Sequence, residues 1–453
     1  MEQGNYLKYS VAATFGLIAC LGLLYAIPVF DIGSFHYRRV NILSDILYKE
    51  PVKPVAHVDP KDSTIVVKPV YVAEACKKGI TCIEDYSPDS TGMNTYLAAL
   101  DSSDQKIVRI AYFADSYVEG DIMLEPFRDS MQAIYGGSGV GFVPITSEVA
   151  GFRQSIIHSF KGWATYSMVG DRSNNHPLGP AGLSFVPKDN NEVIYKAARF
   201  RHLNSFPTTE LFYKKCTACA VIHNEHDTIG LAGDKAINAI KLNRNSQYEK
   251  LNFICDSMDL YGMSFEDTKG ISVDNFSVRG NSGTGLNYVS EDMYRSFGAV
   301  HPYQLIVLSY GLNVASEKQT NYSAYAVSMS RVIQRFKNAF PNSSILLVGC
   351  SDRGANMDGD FMTLPTLHNL IDAQRKVAAD NGICFWDLQT AMGGDSTMIR
   401  WVDMKLANDD YTHLTFKGGR KVADILIGTL RYEKEKYDRR KKLTITKKLT
   451  SSL

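Results

Sequence analysis

The sequence predicts an α/β protein: a parallel sheet covered by helices on both faces, interrupted by an inserted all-β sandwich and preceded by a membrane-spanning helix. Three observations carry this. First, apolar strand-like runs at 107–113, 304–310, 344–350 and 383–388 alternate with helical spacing at 119–134, 321–340, 366–380 and 419–440. Strands separated by helices of that length need right-handed crossovers, and hence a parallel sheet. Second, from about 145 to 266 the helical spacing lapses, and short β-rich pieces such as WATYSMV, TELFYKK, KLNFICD and LYGMSFE stand between turn signals. That is the pattern of an antiparallel sandwich. Third, residues 9–30 carry no charge.

Bulk composition limits the alternatives. At 453 residues the chain has room for roughly two to three domains. With 45% hydrophobic and 21% charged residues it is ordinary for a folded protein and unlike a disordered one. A formal net charge of +1 argues against a dedicated nucleic-acid binder, which normally carries a large basic excess.

The elements follow in chain order. Residues 1–8 form a short N-terminus and 9–30 the anchor; at about 1.5 Å per helical residue this run covers the hydrocarbon thickness of a bilayer. A cleaved signal peptide is the rival reading, because Lys8 precedes the run. The run is longer than a signal core and lacks a small-x-small site, and it continues past Cys20 of the lipoprotein-like LIAC, so an uncleaved anchor is expected. Lys8 on one side and Arg38 and Arg39 on the other leave its orientation poorly specified. Residues 31–104, with Pro51, Pro54, Pro60 and Pro69, read as a stalk. Within it CKKGITC (Cys76, Cys82) has the spacing of a small disulfide loop suited to an oxidising compartment, and the pair is left open between disulfide and thiols. A first α/β portion spans 105–144, the β module 145–266 and a second α/β portion 267–432. CTAC (Cys216, Cys219) could be half a metal site, but no second pair at zinc spacing accompanies it, so no metal is expected. Cys350 and Cys384 lie in apolar strand-like runs as inert core residues. The basic tail 433–453 reads as a solvated helix end, or more weakly as a contact for anionic lipid or polymer.

Candidate chemistry sits at the ends of the strands. In IVRIAYFADSYVEGD (107–121) a buried-looking strand ends by presenting Asp115 and Ser116 just before helical spacing. A serine at such a corner is either a nucleophile or an ordinary helix cap. In NDDYTHLTFKGG (408–419) Asp410 and His413 are three apart, so the carboxylate can reach the imidazole and stabilise it when it takes a proton from serine. Caps before the following helix are the plain alternative. LIVLSYGLNVAS (305–316) is a strand ending in Gly-x-Asn, whose Asn313 amide can face a developing oxyanion; a simple turn is again the alternative. VDNFSVRGNSGTG (273–285) clusters glycines that allow a backbone N–H to approach the same place.

All four pieces fall at the C-terminal ends of strands in one parallel sheet, where such sheets place ligands. Their order, Ser, Gly, Asn, then Asp-x-x-His, resembles the SGNH (GDSL-type) hydrolase superfamily. ADSYVEGD is similar to its nucleophile block with Ala114 for glycine, RGNSG to its second, YGLN to its third with Val314 for the frequent aspartate, and DYTH to its last. YGGSGVGFVP and AMGGDSTMIRWV are further similar to segments of the bacterial peptidoglycan O-acetylesterase branch, whose members carry a β-rich, carbohydrate-binding-like insertion.

The resemblance spans about 105–432 and implies a three-layer, flavodoxin-like fold. It implies Ser116 as nucleophile, His413 as base, Asp410 as orienting acid, and an oxyanion hole of the Ser116 N–H, the Asn313 side chain and the Gly283 N–H, with Gly280 as alternative to Gly283. It implies no cofactor and no metal, and acetyl esters on a cell-wall or exopolysaccharide glycan as substrate. With the anchor, the expected place is the inner membrane, single-pass, with residues 31–453 on its outer side. Oligomeric state is not indicated. Two rivals remain: an O-acetyltransferase using the same triad, and an inactive glycan-binding surface protein, against which the intact Ser, Asp, His and Asn argue.

Overall fold

The computed structural model describes residues 11, 12, 14, 16, 30–32, 35–37 and 76–450, apart from 173, 174, 215, 234, 256, 257 and 358. The chain divides into two units, Met1–Val66 and Val67–Leu453. In the first, Phe30–Ile32 (β1) pairs antiparallel with Phe35–Tyr37 (β2). Most of the expected anchor lies outside the described residues; Val11, Ala12, Thr14 and Gly16 are helical, while Phe30, its last residue, is in a strand. No helix among the described residues is long and apolar enough to cross a membrane. Lys8, Cys20, Arg38, Arg39 and the four stalk prolines also lie outside the described residues.

The second unit opens with Glu84–Asp85 (β3) and Ile107–Ala114 (β4). A run of antiparallel strands follows: Gly141–Val143 (β5), Ile156–Ser167 (β6), Leu183–Ala197 (β7), Phe206–Tyr213 (β8), Cys216–His223 (β9), Asp227–Gly233 (β10), Asn238–Ser246 (β11), Tyr248–Ile254 (β12) and Leu260–Glu266 (β13). The chain then returns through Gly270–Asn275 (β14), Leu305–Ser309 (β15), Ser344–Val348 (β16), the hairpin Gly354–Met357 (β17) and Asp360–Thr363 (β18), and Cys384–Trp386 (β19). The central sheet has the order β14-β4-β15-β16-β19-β3, parallel except for β3.

Alternation along these strands makes the three layers. Ile110, Tyr112 and Ala114 of β4, Leu305 and Val307 of β15, and Leu346 and Val348 of β16 join one core. Their neighbours Ala111, Phe113, Ile306, Leu308, Ile345 and Leu347 join the other. A strand's side chains point alternately to its two faces, so a strand apolar at every position is one buried on both. Helices Asn94–Leu100, Leu124–Tyr135 and Phe416–Thr450 cover the first face, and Glu291–Val300, Ser323–Ala339 and Leu367–Asn381 the second.

Three expectations are corrected. The stalk does not run to 104, because Tyr96, Leu97 and Leu100 are buried in the first core and β3 extends the sheet. Apolar residues at helical spacing there outweigh the prolines further back. The tail from 433 is no separate segment: the last helix continues to Thr450, with Lys434 and Lys441 both paired to Asp101. The β module starts at β5, before 145, since Gly141–Val143 pairs with β13. Its strands form one hydrogen-bonded set rather than two separate sheets. β7 joins its halves, pairing through Phe185 with β13 and through 193–196 with β12, and residues of both halves share one core.

The cysteines partition as follows. Cys76 and Cys82 are joined in a disulfide. Cys219 is disulfide-bonded to Cys255, so CTAC is not a metal half-site. Cys350 and Cys384 are free and buried.

The helix expected from 119 is broken. It runs Ser116–Glu119, stops, and resumes at Leu124. Asp121 sits at the break with φ +63°, a conformation unfavourable to a residue with a Cβ. It is held there by charge: its buried carboxylate meets Arg128 at 3.0 Å, Arg153 at 3.1 Å, Ser155 Oγ at 2.5 Å and Asn275 Nδ2 at 2.9 Å. Burial alone would raise its pKa, but the two guanidiniums hold it well below the ordinary carboxylate range. Asp121→Ala leaves two buried arginines without their anion, and a loss of about 3–5 kcal/mol in unfolding free energy is expected by denaturant titration. A loss under about 1 kcal/mol would show the cluster to be structurally idle.

Candidate active site

β4 delivers the strand-to-helix corner. Asp115 is the N-cap, its side chain accepting the Tyr117 N–H at 3.0 Å. Ser116 is therefore the first helical residue and not the cap, which leaves its hydroxyl free for other chemistry. That hydroxyl lies 3.0 Å from His413 Nε2.

His413 is held from behind. Its Nδ1 is 2.7 Å from Asp410 Oδ2, while Asp410 Oδ1 accepts the backbone N–H groups of His413 at 2.9 Å and Thr412 at 3.0 Å. Partial burial pushes the Asp410 pKa up, but the His413 N–H, its imidazole and the Thr412 N–H outweigh this and hold it below the usual value. The loop is closed by the Asn408 N–H donating to His413 O at 2.8 Å. Between them Tyr411 adopts φ +53°, and its ring stacks on Phe361 of the β17–β18 hairpin at 4.0 Å. Gly354 lies against Tyr411, where a Cβ would come within 2.8 Å of the Tyr411 Cβ. Sequence reading missed this hairpin: its strands are only four residues each and stand outside the α/β rhythm.

The oxyanion side differs from expectation. Asn313 Nδ2 donates to Asp115 Oδ2 at 3.0 Å and to Asn281 O at 3.2 Å, so it sits beside the nucleophile with both hydrogens engaged. One of them must turn from these acceptors to meet a developing oxyanion. Gly283 is not suited to the role, because its N–H donates to Asn281 Oδ1 at 2.9 Å and the residue is buried against Tyr310 and Met329. Gly280 is exposed, and its N–H has no acceptor among the described residues. It lies between Val278, whose N–H bonds Ala114 O, and Asn281, whose carbonyl bonds Asn313. Gly280 thus replaces Gly283 as the backbone donor this geometry favours. The choice was not readable from the sequence, since it depends on where the Asn281 side chain turns.

Asp115, unlike Asp410, is a buried acid of the site. Burial raises its pKa from 3.8 to about 6, against the opposing pull of the Tyr117 N–H, Asn313 and His413. An acid raised on folding stabilises the fold fully below its unfolded pKa, and that contribution is lost as pH rises through the folded value. Stability is therefore expected to fall between pH about 4 and about 6, by up to about 3 kcal/mol from this group. In Asp115→Asn this part of the slope should vanish, whatever the variant's absolute stability; an unchanged slope would acquit Asp115.

A cleft of about 310 Å³ opens between the β module and this edge of the sheet. Glu119, Asn275 and Arg279 line its catalytic side, and Thr146, Arg153 and Thr165 its module side.

The parallel sheet and the Ser116–His413–Asp410 geometry agree with what the resemblance to SGNH-type hydrolases led one to expect. No protein-family model and no curated protein sequence matches the chain. Among solved structures, one described as a peptidoglycan O-acetylesterase in action is similar at a TM-score of 0.66 and 21% identity, covering 78% of this chain and 99% of that one. That likeness establishes the SGNH hydrolase fold here. An acetyl xylan esterase matches at TM-score 0.27 and 19% identity, over 35% of this chain and 80% of that one. A family two carbohydrate esterase from Cellvibrio japonicus matches at TM-score 0.26 and 9% identity, over 65% and 98%.

Proposed function

We propose that the protein is a serine esterase that removes acetyl groups from a cell-wall or extracellular polysaccharide, with peptidoglycan the leading substrate. The observation that carries it is the unbroken chain Ser116 Oγ to His413 Nε2 to Asp410 at 3.0 and 2.7 Å. His413 takes the Ser116 proton as the hydroxyl attacks the ester carbonyl. The tetrahedral oxyanion is met by the Ser116 and Gly280 N–H groups and by Asn313. Collapse transfers the proton from His413 to the departing sugar oxygen. Water, deprotonated by His413, then releases acetate and restores the serine. The side chains of His413 and Asp410 are 37% and 49% exposed, so the triad lies open at the surface, as access by a polymer requires. The likeness to the solved peptidoglycan O-acetylesterase, which covers 78% of this chain, supports the glycan class.

The same reading puts the protein on the inner membrane by one helix that starts near residue 9 and ends before Phe30, with residues 31–453 on the outer side; the Cys76–Cys82 disulfide supports an oxidising compartment. Release of acetate from p-nitrophenyl acetate tests the chemistry. Mass spectrometry of O-acetylated cell-wall glycan and exopolysaccharide after incubation identifies the polymer. Acetyl groups moved to a second glycan instead of water would replace the hydrolase by a transferase. A C-terminal reporter fusion active only in the cytoplasm would overturn the orientation.

A further inference from the structure

The cleft between module and sheet takes no part in the bond-breaking steps, yet it opens beside them: its wall residues Val278 and Arg279 run directly into Gly280. Its size is in the range of small-ligand clefts, about 300–1,000 Å³. Two features of the lining say what it suits. The first is hydroxyl groups on both sides. Thr146 Oγ1 and Thr165 Oγ1 meet at 3.1 Å on the module, and on the sheet side Ser277 lines the cleft with its Oγ buried and without a hydrogen-bond partner among the described residues. A buried hydroxyl left unpaired is costly, and a turn of the Ser277 side chain into the cleft would let a ligand hydroxyl relieve it.

The second is charge. Both arginines of the lining are already engaged: Arg279 by Glu119 at 2.8 Å and Glu148 at 3.3 Å, Arg153 by Asp121 at 3.1 Å. Glu148 is 76% exposed at the mouth. An incoming carboxylate would have to share the half-exposed Arg279, which already faces two carboxylates, and would meet Glu148, a like charge. An uncharged polyol meets no such penalty, and Val169, 46% exposed at the rim, offers it an apolar contact.

We infer that this cleft is the subsite for a neutral, hydroxyl-rich sugar ring adjoining the acylated residue, and that it selects against uronate polymers; the inference rests on the esterase reading above. The β module then contributes half of the substrate site rather than acting as a remote tether. The test uses the full chain and Thr165→Trp, an exposed strand position that tolerates an aromatic side chain. For O-acetylated chitin oligosaccharide KM should rise on the order of tenfold with kcat unchanged, while p-nitrophenyl acetate kinetics stay as in the wild type. Wild type should also prefer that oligosaccharide to O-acetylated polygalacturonate, and Glu148→Lys should narrow the preference. An unaffected oligosaccharide KM in Thr165→Trp, an equal loss on both substrates, or a wild-type preference for the polygalacturonate would each overturn the subsite. Wild type inert on p-nitrophenyl acetate would instead sink the esterase reading. In that case calorimetry decides the cleft alone: unacetylated chitin oligosaccharide should bind wild type and not Thr165→Trp, and equal binding would refute it.

Discussion

Ser116→Ala is expected to abolish ester turnover while leaving the fold intact. The Ser116 side chain makes one contact of consequence, to His413 Nε2, and the helix cap is supplied by Asp115. Its removal therefore takes away the attacking oxygen and little else. Loss of a triad member costs at least about 10³-fold in rate, and what survives comes from the oxyanion donors and substrate binding. Steady-state kinetics on p-nitrophenyl acetate, with circular dichroism to verify folding, are the measurement. A folded Ser116→Ala protein that keeps most of its activity would remove Ser116 from the mechanism, and the Ser116–His413 contact would then be no more than a surface hydrogen bond.

Asn313→Ala carries the next largest effect. Deleting one side-chain donor from an oxyanion hole lowers kcat by about 10²–10³ with little change in KM, because the lost bond matters mainly in the transition state. Here the same amide also steadies the Asp115 carboxylate and ties down Asn281 O, next to Gly280. Some loss of thermal stability should therefore accompany the kinetic defect, since Asp115 is buried and loses a donor. If KM alone rises, Asn313 binds substrate and the hole consists of backbone N–H groups.

Much of this site could be read from the residues because its chemistry is local in sequence. Asp410 and His413 share one short loop, and Asp115 and Ser116 one corner, so spacing alone brings each pair within reach. The parallel sheet was legible for a similar reason: β4, β15 and β16 are apolar on both faces, and helical spacing separates them. What could not be read is long-range. Asp121 breaks a helix of good spacing because its partners Arg153 and Ser155 arrive from the β module. Gly283 and Gly280 look equivalent in RGNSG until Asn281 turns its side chain onto one of them. The helix Asn94–Leu100 was lost among polar residues because seven residues carry too little periodicity to compete with a Pro-rich context.

The parallel pairing of β14 with β4 has a consequence for synthesis. Ile107 lies beside Gly270, and Ile110 beside Leu305, so both neighbours of β4 are made only after the whole inserted module has left the ribosome. Until then the most apolar strand of the catalytic sheet has two open edges, while the module, whose pairings all fall between 141 and 266, already has the partners it needs. Contacts this distant along the chain close slowly, and an unpaired apolar strand is where nascent chains associate wrongly. Chains interrupted between 266 and 305 should thus accumulate as insoluble material, and the organism's folding helpers would meet this protein at Ser116's own strand before the serine has a histidine to work with.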